Sequence, residues 1–186
     1  MSELGAVSGI YRYPVKSMLG EILDRTELGP DGIPGDRAWG VRDEQRADFF
    51  VGKRVAALMS CRAWYEDGAA TSAPRIALPD GQELWADDTD AAERIGHAID
   101  RDVTLWPVVP EARKGSASTP IDEEEVRRMM AREEGEALPD FSAPEPGLIE
   151  FMARGRPFFD AYPLLLLTRT SLATLGAAGC ATCSTT

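Results

Sequence analysis

Short stretches in which apolar and polar residues alternate dominate the first part of the chain, and turn-forming residues separate them. Alternation with a period of two is typical of strands that bury one face. The strands that this pattern predicts are residues 7–15, 19–28, 38–42, 54–65, 75–78, 82–85 and 103–109. Strands of this length and spacing predict a mainly β fold with a few helices, built as a small barrel or a sandwich.

Turn chemistry supports this reading. Residues 29–36 (GPDGIPGD) contain three glycines and two prolines, which favour positive or fixed φ angles. Pro79-Asp80-Gly81 predicts a hairpin turn between two short strands. One helix interrupts the strands, since Ala91, Ile95, Ala98 and Ile99 share a helical face, and Asp87 or Asp88 is the expected N-cap.

The composition changes after residue 110. Residues 111–147 contain a loop-like stretch, an acidic helix expected to begin at Thr119-Pro120 and to run to about Glu134, and a proline-rich connector. We interpret the acidic helix as a solvated face, with a partner-docking face as the alternative. Residues 158–167 then predict a buried strand, and a helix is expected to start near Thr168. The predicted division is therefore 1–110, 111–147 and 148–186.

Charge and cysteine content narrow the class of protein. The 186 residues include 20 Lys and Arg against 31 Asp and Glu, so the net charge of −11 disfavours nucleic acid and anionic membranes as partners. No long apolar run or secretion signal is evident, and three cysteines are too few for a disulfide framework. We therefore expect a soluble protein of the reducing cytoplasm with no membrane contact.

The first candidate site is Lys16-Ser17, in the stretch Tyr13-Pro14-Val15-Lys16-Ser17. A point charge and a hydroxyl directly after a strand suit an oxyanion such as phosphate. Exposed Lys-Ser pairs are also common on ordinary solvated surfaces, so the residues alone leave both readings open.

The second candidate site is Gly35-Asp36-Arg37-Ala38-Trp39. If Arg37 and Trp39 occupy one strand, alternation sends both side chains to the same face, where they could grip a planar anion. The alternative is a structural pair of Asp36 with Arg37, with Trp39 filling the core.

Other chemistry-bearing residues give weaker signals. His97 is the single histidine, so a site built from several histidines is excluded, and we expect it to be structural. Cys61 is expected to be a buried small residue within the strand at 54–65. Cys180 and Cys183 have redox or metal-knuckle spacing, but no second Cys or His pair completes a metal site, so we assign no metal ligands.

Four motifs in order resemble the MOSC family, in the branch that carries an N-terminal MOSC β-barrel and includes the mitochondrial amidoxime-reducing component. They are residues 13–17 (YPVKS), 32–39 (GIPGDRAW), 52–54 (GKR) and 162–172 (YPLLLLTRTSL). The resemblance implies a β-barrel-like N-terminal domain in residues 1–110 and the start of a MOSC β-barrel in residues 148–186.

The resemblance also implies a function. The family binds a molybdenum cofactor and reduces N-hydroxylated or similar oxidised small molecules with electrons from a partner protein. By this similarity Lys16 and Ser17 would bind the phosphate end of the cofactor, Arg37 its pterin or phosphate region, and Ser171 would add a polar contact. Family descriptions also attach pyridoxal phosphate, for which no residue here gives independent support. No catalytic residue is assigned.

The chain also departs from the family pattern. The Arg-Phe-Arg-Pro-Asn motif and the later molybdenum-ligating cysteine of the family have no counterpart before Thr186, and Gly96 and His97 stand where the family carries hydroxyl residues. Two alternatives to an oxidoreductase therefore stay open. One is a non-catalytic N-terminal barrel that binds a partner, and the other is an inactive, C-terminally truncated product.

Overall fold

The computed structural model describes residues 5–29, 31–46, 48–49, 55–108, 124, 127, 132–137 and 164–180, and every structural statement below refers to these residues. Most of the regular structure before residue 109 is antiparallel β-sheet, as the alternation predicts. The strands are β1 (Ile10–Arg12), β2 (Glu21–Leu23), β3 (Trp39–Asp43), β4 (Asp48–Phe49), β5 (Arg62–Trp64), β6 (Arg75–Ala77), β7 (Glu83–Trp85) and β8 (Val103–Pro107).

The strands form three small sheets. Strands β1 and β2 make a two-stranded sheet, β3 lies between β4 and β8, and β6 lies between β5 and β7. The turn between β6 and β7 is the one expected at Pro79-Asp80-Gly81, with the Gly81 N–H donating to Leu78 O at 3.0 Å.

The segment between β1 and β2 joins the sheets to one another. Val15 forms a parallel bridge with Trp39 of β3, and Leu19 forms one with Arg62 of β5. Each bridge is completed by backbone hydrogen bonds, from Lys16 N to Trp39 O at 2.8 Å and from Leu19 N to Cys61 O at 2.9 Å. The three sheets thereby form a continuous, barrel-like β layer, and the connecting segment is fixed at both ends.

The larger of two apolar clusters among the described residues fills this layer. Its buried residues lie between Val15 and Val103 in sequence and come from the connecting segment, the sheets and the helix. They are Val15, Met18, Val41, Val55, Leu58, Cys61, Ala63, Ile76, Leu78, Leu84, Ala86, Ala91, Ile95, Ile99 and Val103. The described part of residues 5–108 therefore has a core of its own.

Helix α1 (Ala91–Ile99) covers one side of the core. Ala91, Ile95 and Ile99 are buried and Ala98 packs against them, which confirms the helical spacing. The expected N-cap is wrong: the helix begins after Asp90, because the carboxylate of Asp88 instead accepts a hydrogen bond from the backbone N–H of Trp85 at 2.8 Å.

Several strand predictions need correction. Residues 54–65 are not one strand, since a 3-10 helix (Ala56–Ser60) precedes β5 and its backbone bonds close locally, from Leu58 N to Val55 O and from Cys61 N to Leu58 O. The apolar run still reaches the core because Leu58 and Cys61 are fully buried. Strands β1 and β2 are three residues long, shorter than expected, and β4 carries too little alternation to be predicted.

Corrections also fall in the last part of the chain. Residues 164–167 are not a buried strand, because all four leucines are exposed, at 47–90%. Helix α2 (Arg169–Cys180) begins where a helix is expected. Residues 158–163, the connector prolines and most of the acidic helix lie outside the described residues, although Glu124 and Arg127 are helical. In the described ranges no helix is long and apolar enough to cross a membrane.

Candidate anion-binding site

Lys16 and Ser17 occupy the two middle positions of a tight turn. The turn closes through a hydrogen bond from Met18 N to Val15 O at 3.2 Å, and both middle residues are half-buried. Ser17 has a φ of 69°, a left-handed conformation that costs a residue with a side chain about 1 kcal/mol or more. The backbone pairing of Val15 and Leu19, on either side of the turn, imposes this conformation on Ser17, although a residue with a side chain disfavours it.

Arg37 also has a left-handed backbone. The turn before it closes from Asp36 N to Ile33 O at 3.1 Å, with Gly35 at a φ of 79° and Arg37 at 48°. The expectation that Arg37 and Trp39 alternate along one strand is therefore wrong, because β3 begins only at Trp39. Trp39 packs partly against the core, as the structural alternative proposes.

Three backbone hydrogen bonds bring the two turns together. Arg37 N donates to Tyr13 O at 2.7 Å, Trp39 N to Pro14 O at 3.0 Å and Lys16 N to Trp39 O at 2.8 Å. The two segments run parallel, so Arg37 lies beside Tyr13 and Lys16 lies three residues further along. Two cationic residues therefore lie on neighbouring segments that are joined by backbone hydrogen bonds.

The side chain of Arg37 is held by Asp36. One carboxylate oxygen of Asp36 accepts the N–H of Tyr13 at 2.7 Å, and the other accepts Arg37 Nε at 2.9 Å and also contacts Arg37 Nη2. Asp36 is 2% exposed, whereas the Arg37 side chain is 27% exposed. The pair proposed as the structural alternative therefore exists, and it fixes one edge of a partly accessible guanidinium.

A buried arginine lies behind this turn, and the sequence reasoning missed it. Arg12 is 1% exposed; its Nε donates to Glu21 Oε1 at 2.9 Å, and its Nη1 donates to Pro34 O at 3.1 Å and to Gly68 O at 2.8 Å. The guanidinium stacks 4.6 Å from the ring centroid of Tyr65. The available signal was positional: alternation places Arg12 on the same face as Ile10, where a charge requires a partner.

Tyr65 completes the cluster. Its hydroxyl donates to Gly35 O at 3.2 Å, and its backbone N–H donates to Glu21 Oε1 at 3.1 Å. Burial raises the pKa of the Tyr65 phenol to about 12; Arg12 lowers this pKa, while the negative charges of Glu21, Asp67 and Asp36 raise it further. The phenol is therefore a fixed hydrogen-bond donor at neutral pH.

The described hydrogen bonds of Ser171 are local to the start of α2. This residue lies in the first turn of α2, its N–H donates to the hydroxyl of Thr168 at 3.0 Å, and the two hydroxyls are 2.9 Å apart. The described hydrogen bonds thus bring Lys16, Ser17 and Arg37 together but not Ser171. Residues 52–54 (GKR), the remaining motif of the resemblance, fall outside the described residues.

Among the described residues, the side chains that commonly bind metals are dispersed. Within the described ranges, no group of three or more His, Cys, Asp and Glu side chains is placed to hold a metal ion. Cys61 is fully buried, and burial raises the pKa of its thiol, which is the reverse of what a thiolate ligand needs. Cys180 ends α2, Cys183 is outside the described residues, and His97 is exposed on α1.

A polar cavity of about 720 Å³ lies elsewhere, where α1 meets β8 and the turn after β3. Its lining includes Asp43, Arg46, His97, Asp100 and Arg101, but none of Lys16, Ser17 or Arg37. The candidate anion site is therefore a surface framework of two turns rather than this cavity.

These features define a small, mainly antiparallel β-barrel domain that presents two cationic turns side by side. A family model described as the MOSC N-terminal beta barrel domain matches residues 4–117, well over half of the chain, and the protein belongs to that family. Neither a curated protein nor a solved structure gave a match.

Proposed function

We propose that this protein uses the turns at Lys16-Ser17 and Arg37 to bind the phosphate end of a molybdenum cofactor. The observation that carries the proposal is the parallel pairing of the two turns, which fixes two cations and a hydroxyl on neighbouring segments, with Ser17 and Arg37 in left-handed conformations. Residues that the surrounding structure holds in an unfavourable backbone conformation are often found at binding sites. Membership of the MOSC N-terminal family supports this choice of ligand.

The described residues fit one end of such a cofactor. Lys16, Ser17 and Arg37 provide the charge and donors that a phosphate monoester takes, and Asp36 holds one edge of Arg37 in place. For the metal end of the cofactor, the described side chains include no group of three or more His, Cys, Asp and Glu that could hold a metal ion. When bound, the cofactor would supply two-electron redox chemistry. The part of the chain described here would anchor and orient it.

The activity that follows is an oxidoreductase reaction on a small molecule. By family resemblance the substrates are N-hydroxylated or similarly oxidised compounds, and the electrons come from a partner protein. With a net charge of −11, this protein favours a donor that presents a basic surface. Ser171 would contribute from the MOSC side, and the reaction would take place in the cytoplasm.

The test is co-purification. The full chain is produced in a host that synthesises molybdenum cofactor, and molybdenum is measured by mass spectrometry together with the fluorescent oxidised pterin. We expect both in the unaltered protein and a loss of most of each in Arg37→Gln. A matched control is Arg75→Gln, which removes an arginine that pairs with Glu83 on another sheet. Absence of molybdenum from the unaltered protein would overturn the proposal.

Pyridoxal phosphate presents the same phosphate chemistry, and a second arm separates the two. The purified protein is mixed with pyridoxal phosphate and scanned for the absorbance of a lysine Schiff base. We expect none, because the proposed role of Lys16 is to contact phosphate rather than an aldehyde. A Schiff base that disappears in Lys16→Gln would assign the site to pyridoxal phosphate instead.

A non-catalytic binding module is the second candidate function. The observation in its favour is the apolar core, whose buried members among the described residues all lie between Val15 and Val103. A domain whose core is formed by its own residues can fold without a cofactor. If cofactor supply changes neither the unfolding transition nor the bound molybdenum, the module explains the protein better than the enzyme does.

A further inference from the structure

We propose that Tyr65 and Arg12 are positioning residues of the anion site, which hold the backbone of Pro34 and Gly35 so that Arg37 keeps its orientation. The inference rests on the proposed phosphate binding by Arg37. It assigns a role to two residues that contact no ligand themselves.

The contacts fall on consecutive carbonyls of the turn. Arg12 Nη1 donates to Pro34 O at 3.1 Å, and the Tyr65 hydroxyl donates to Gly35 O at 3.2 Å. Asp36 and Arg37 follow at once, and the Arg37 N–H is bound to Tyr13 O. The two contacts therefore set the direction in which the chain enters Arg37.

Arg12 and Tyr65, which make these two contacts, are themselves held in place by further contacts. Glu21 Oε1 accepts both Arg12 Nε and the Tyr65 N–H, and the Arg12 guanidinium stacks on the Tyr65 ring. Both residues are at least 95% buried, where hydrogen bonds are electrostatically stronger than in water. The turn is thus attached through Arg12 to β1, and through Tyr65 to the residue that directly follows β5, and both are bound by Glu21 of β2.

Close packing around Gly35 also restricts the position of the turn. A Cβ on Gly35 would lie 2.7 Å from Tyr65 Cε2 and 2.4 Å from Ala70 Cβ, so the backbone is pressed against the tyrosine ring. Arg12 Nη2 makes no hydrogen bond within the described part of the protein. A buried guanidinium with an unsatisfied N–H contributes little to stability. Its role is better explained by the single geometry that it specifies for the turn.

The test removes one atom. Tyr65→Phe deletes the hydroxyl that binds Gly35 O and keeps the ring under Arg12. Two readouts are used: titration with inorganic phosphate followed by NMR, and the Nε–H resonance of Arg37 without any ligand. We expect Tyr65→Phe to weaken phosphate binding about threefold to tenfold, the equivalent of one hydrogen bond, and to shift the Arg37 Nε–H resonance.

Two further variants separate positioning from a general loss of structure. In an Arg37→Gln background, Tyr65→Phe should cause no additional weakening, because its effect acts through Arg37. Arg75→Met is the matched control, since Arg75 also stacks on an aromatic ring, 4.9 Å from the Trp85 centroid, away from the turn. It should leave phosphate affinity and the Arg37 resonance unchanged.

The outcomes separate the two proposals. If phosphate does not bind, or binds equally well to Arg37→Gln, the proposed function fails, while a shifted Arg37 resonance would still support positioning. If Tyr65→Phe leaves that resonance unchanged, or weakens phosphate equally in both backgrounds, the positioning role is wrong. Arg12→Lys keeps the positive charge but removes the planar guanidinium and its several N–H donors. It should weaken phosphate binding and shift the Arg37 resonance as Tyr65→Phe does.

Discussion

Arg12 and Glu21 are register partners on β1 and β2, and their ion pair, at 2.9 Å, points into the protein. The neighbouring partners Tyr11 and Ile22 face outward and are 54% and 67% exposed. This hairpin therefore reverses the usual arrangement of apolar residues inside and polar residues outside. A buried pair in this position makes the hairpin depend on both charges being present.

We expect Arg12→Met and Glu21→Leu each to lower the free energy of unfolding by about 3 kcal/mol, because each leaves the other charge buried without its partner. The double variant should lose less than the sum of the two, since it leaves neither charge behind. Urea unfolding of the four proteins measures the coupling. Strictly additive losses would show that the pair is not a unit.

Gly35 and Gly81 provide a matched pair of glycines. Both have a positive φ, 79° and 85°, but a Cβ on Gly35 collides with Tyr65 and Ala70, whereas nothing lies within 4 Å at Gly81. We expect Gly81→Ala to cost about 1 kcal/mol of stability and Gly35→Ala about 3 kcal/mol, the difference being overpacking. Thermal unfolding of both variants tests this, and equal losses would contradict the packing argument.

The raised pKa of Tyr65 predicts that the protein loses stability at alkaline pH. Its pKa is about 12 in the folded protein against 10 for an unperturbed tyrosine. The folded state therefore keeps this proton while the unfolded state releases it. This contribution to stability is present below pH 10 and declines by up to about 1.4 kcal/mol per pH unit as the pH rises toward 12.

The comparison is made with Tyr65→Phe by urea unfolding between pH 8 and pH 11. The variant lacks this phenol, so its stability should fall less steeply above pH 10 than that of the unaltered protein. Parallel pH profiles for the two proteins would show that Tyr65 ionises equally easily in the folded and unfolded states.

The core predicts that a fragment folds alone. Because the buried core residues in the described part of the chain all lie between Val15 and Val103, residues 1–110 should unfold cooperatively with urea and show β-type circular dichroism. The transition should not depend on cofactor supply. An unfolded fragment would mean that residues beyond 110 are needed for the barrel, and it would remove the case for an independent module.

The sequence predicted those parts of the fold that depend on local pattern. Alternation located strands β3, β6, β7 and β8, and helical spacing located the buried face of α1 with Ala91, Ile95 and Ile99. It failed at 56–60, because a 3-10 helix and a strand can bury the same apolar residues. The prediction from the sequence was also wrong at residues 164–167, because an apolar run does not by itself show whether another part of the protein packs against it.

The sequence by itself also pointed to Lys16, Ser17 and Arg37, since charge and turn chemistry are written in adjacent residues, and it led to the MOSC N-terminal family. Only the tertiary structure decided between the two interpretations of Arg37 in favour of its pairing with Asp36, and showed that Arg12 and Tyr65 lie behind its turn. The hydrogen bonds from Arg12 and Tyr65 to that turn join residues 22 and 30 positions apart. No local pattern encodes them, because they arise only when the connecting segment after β1 pairs with β3 and β5.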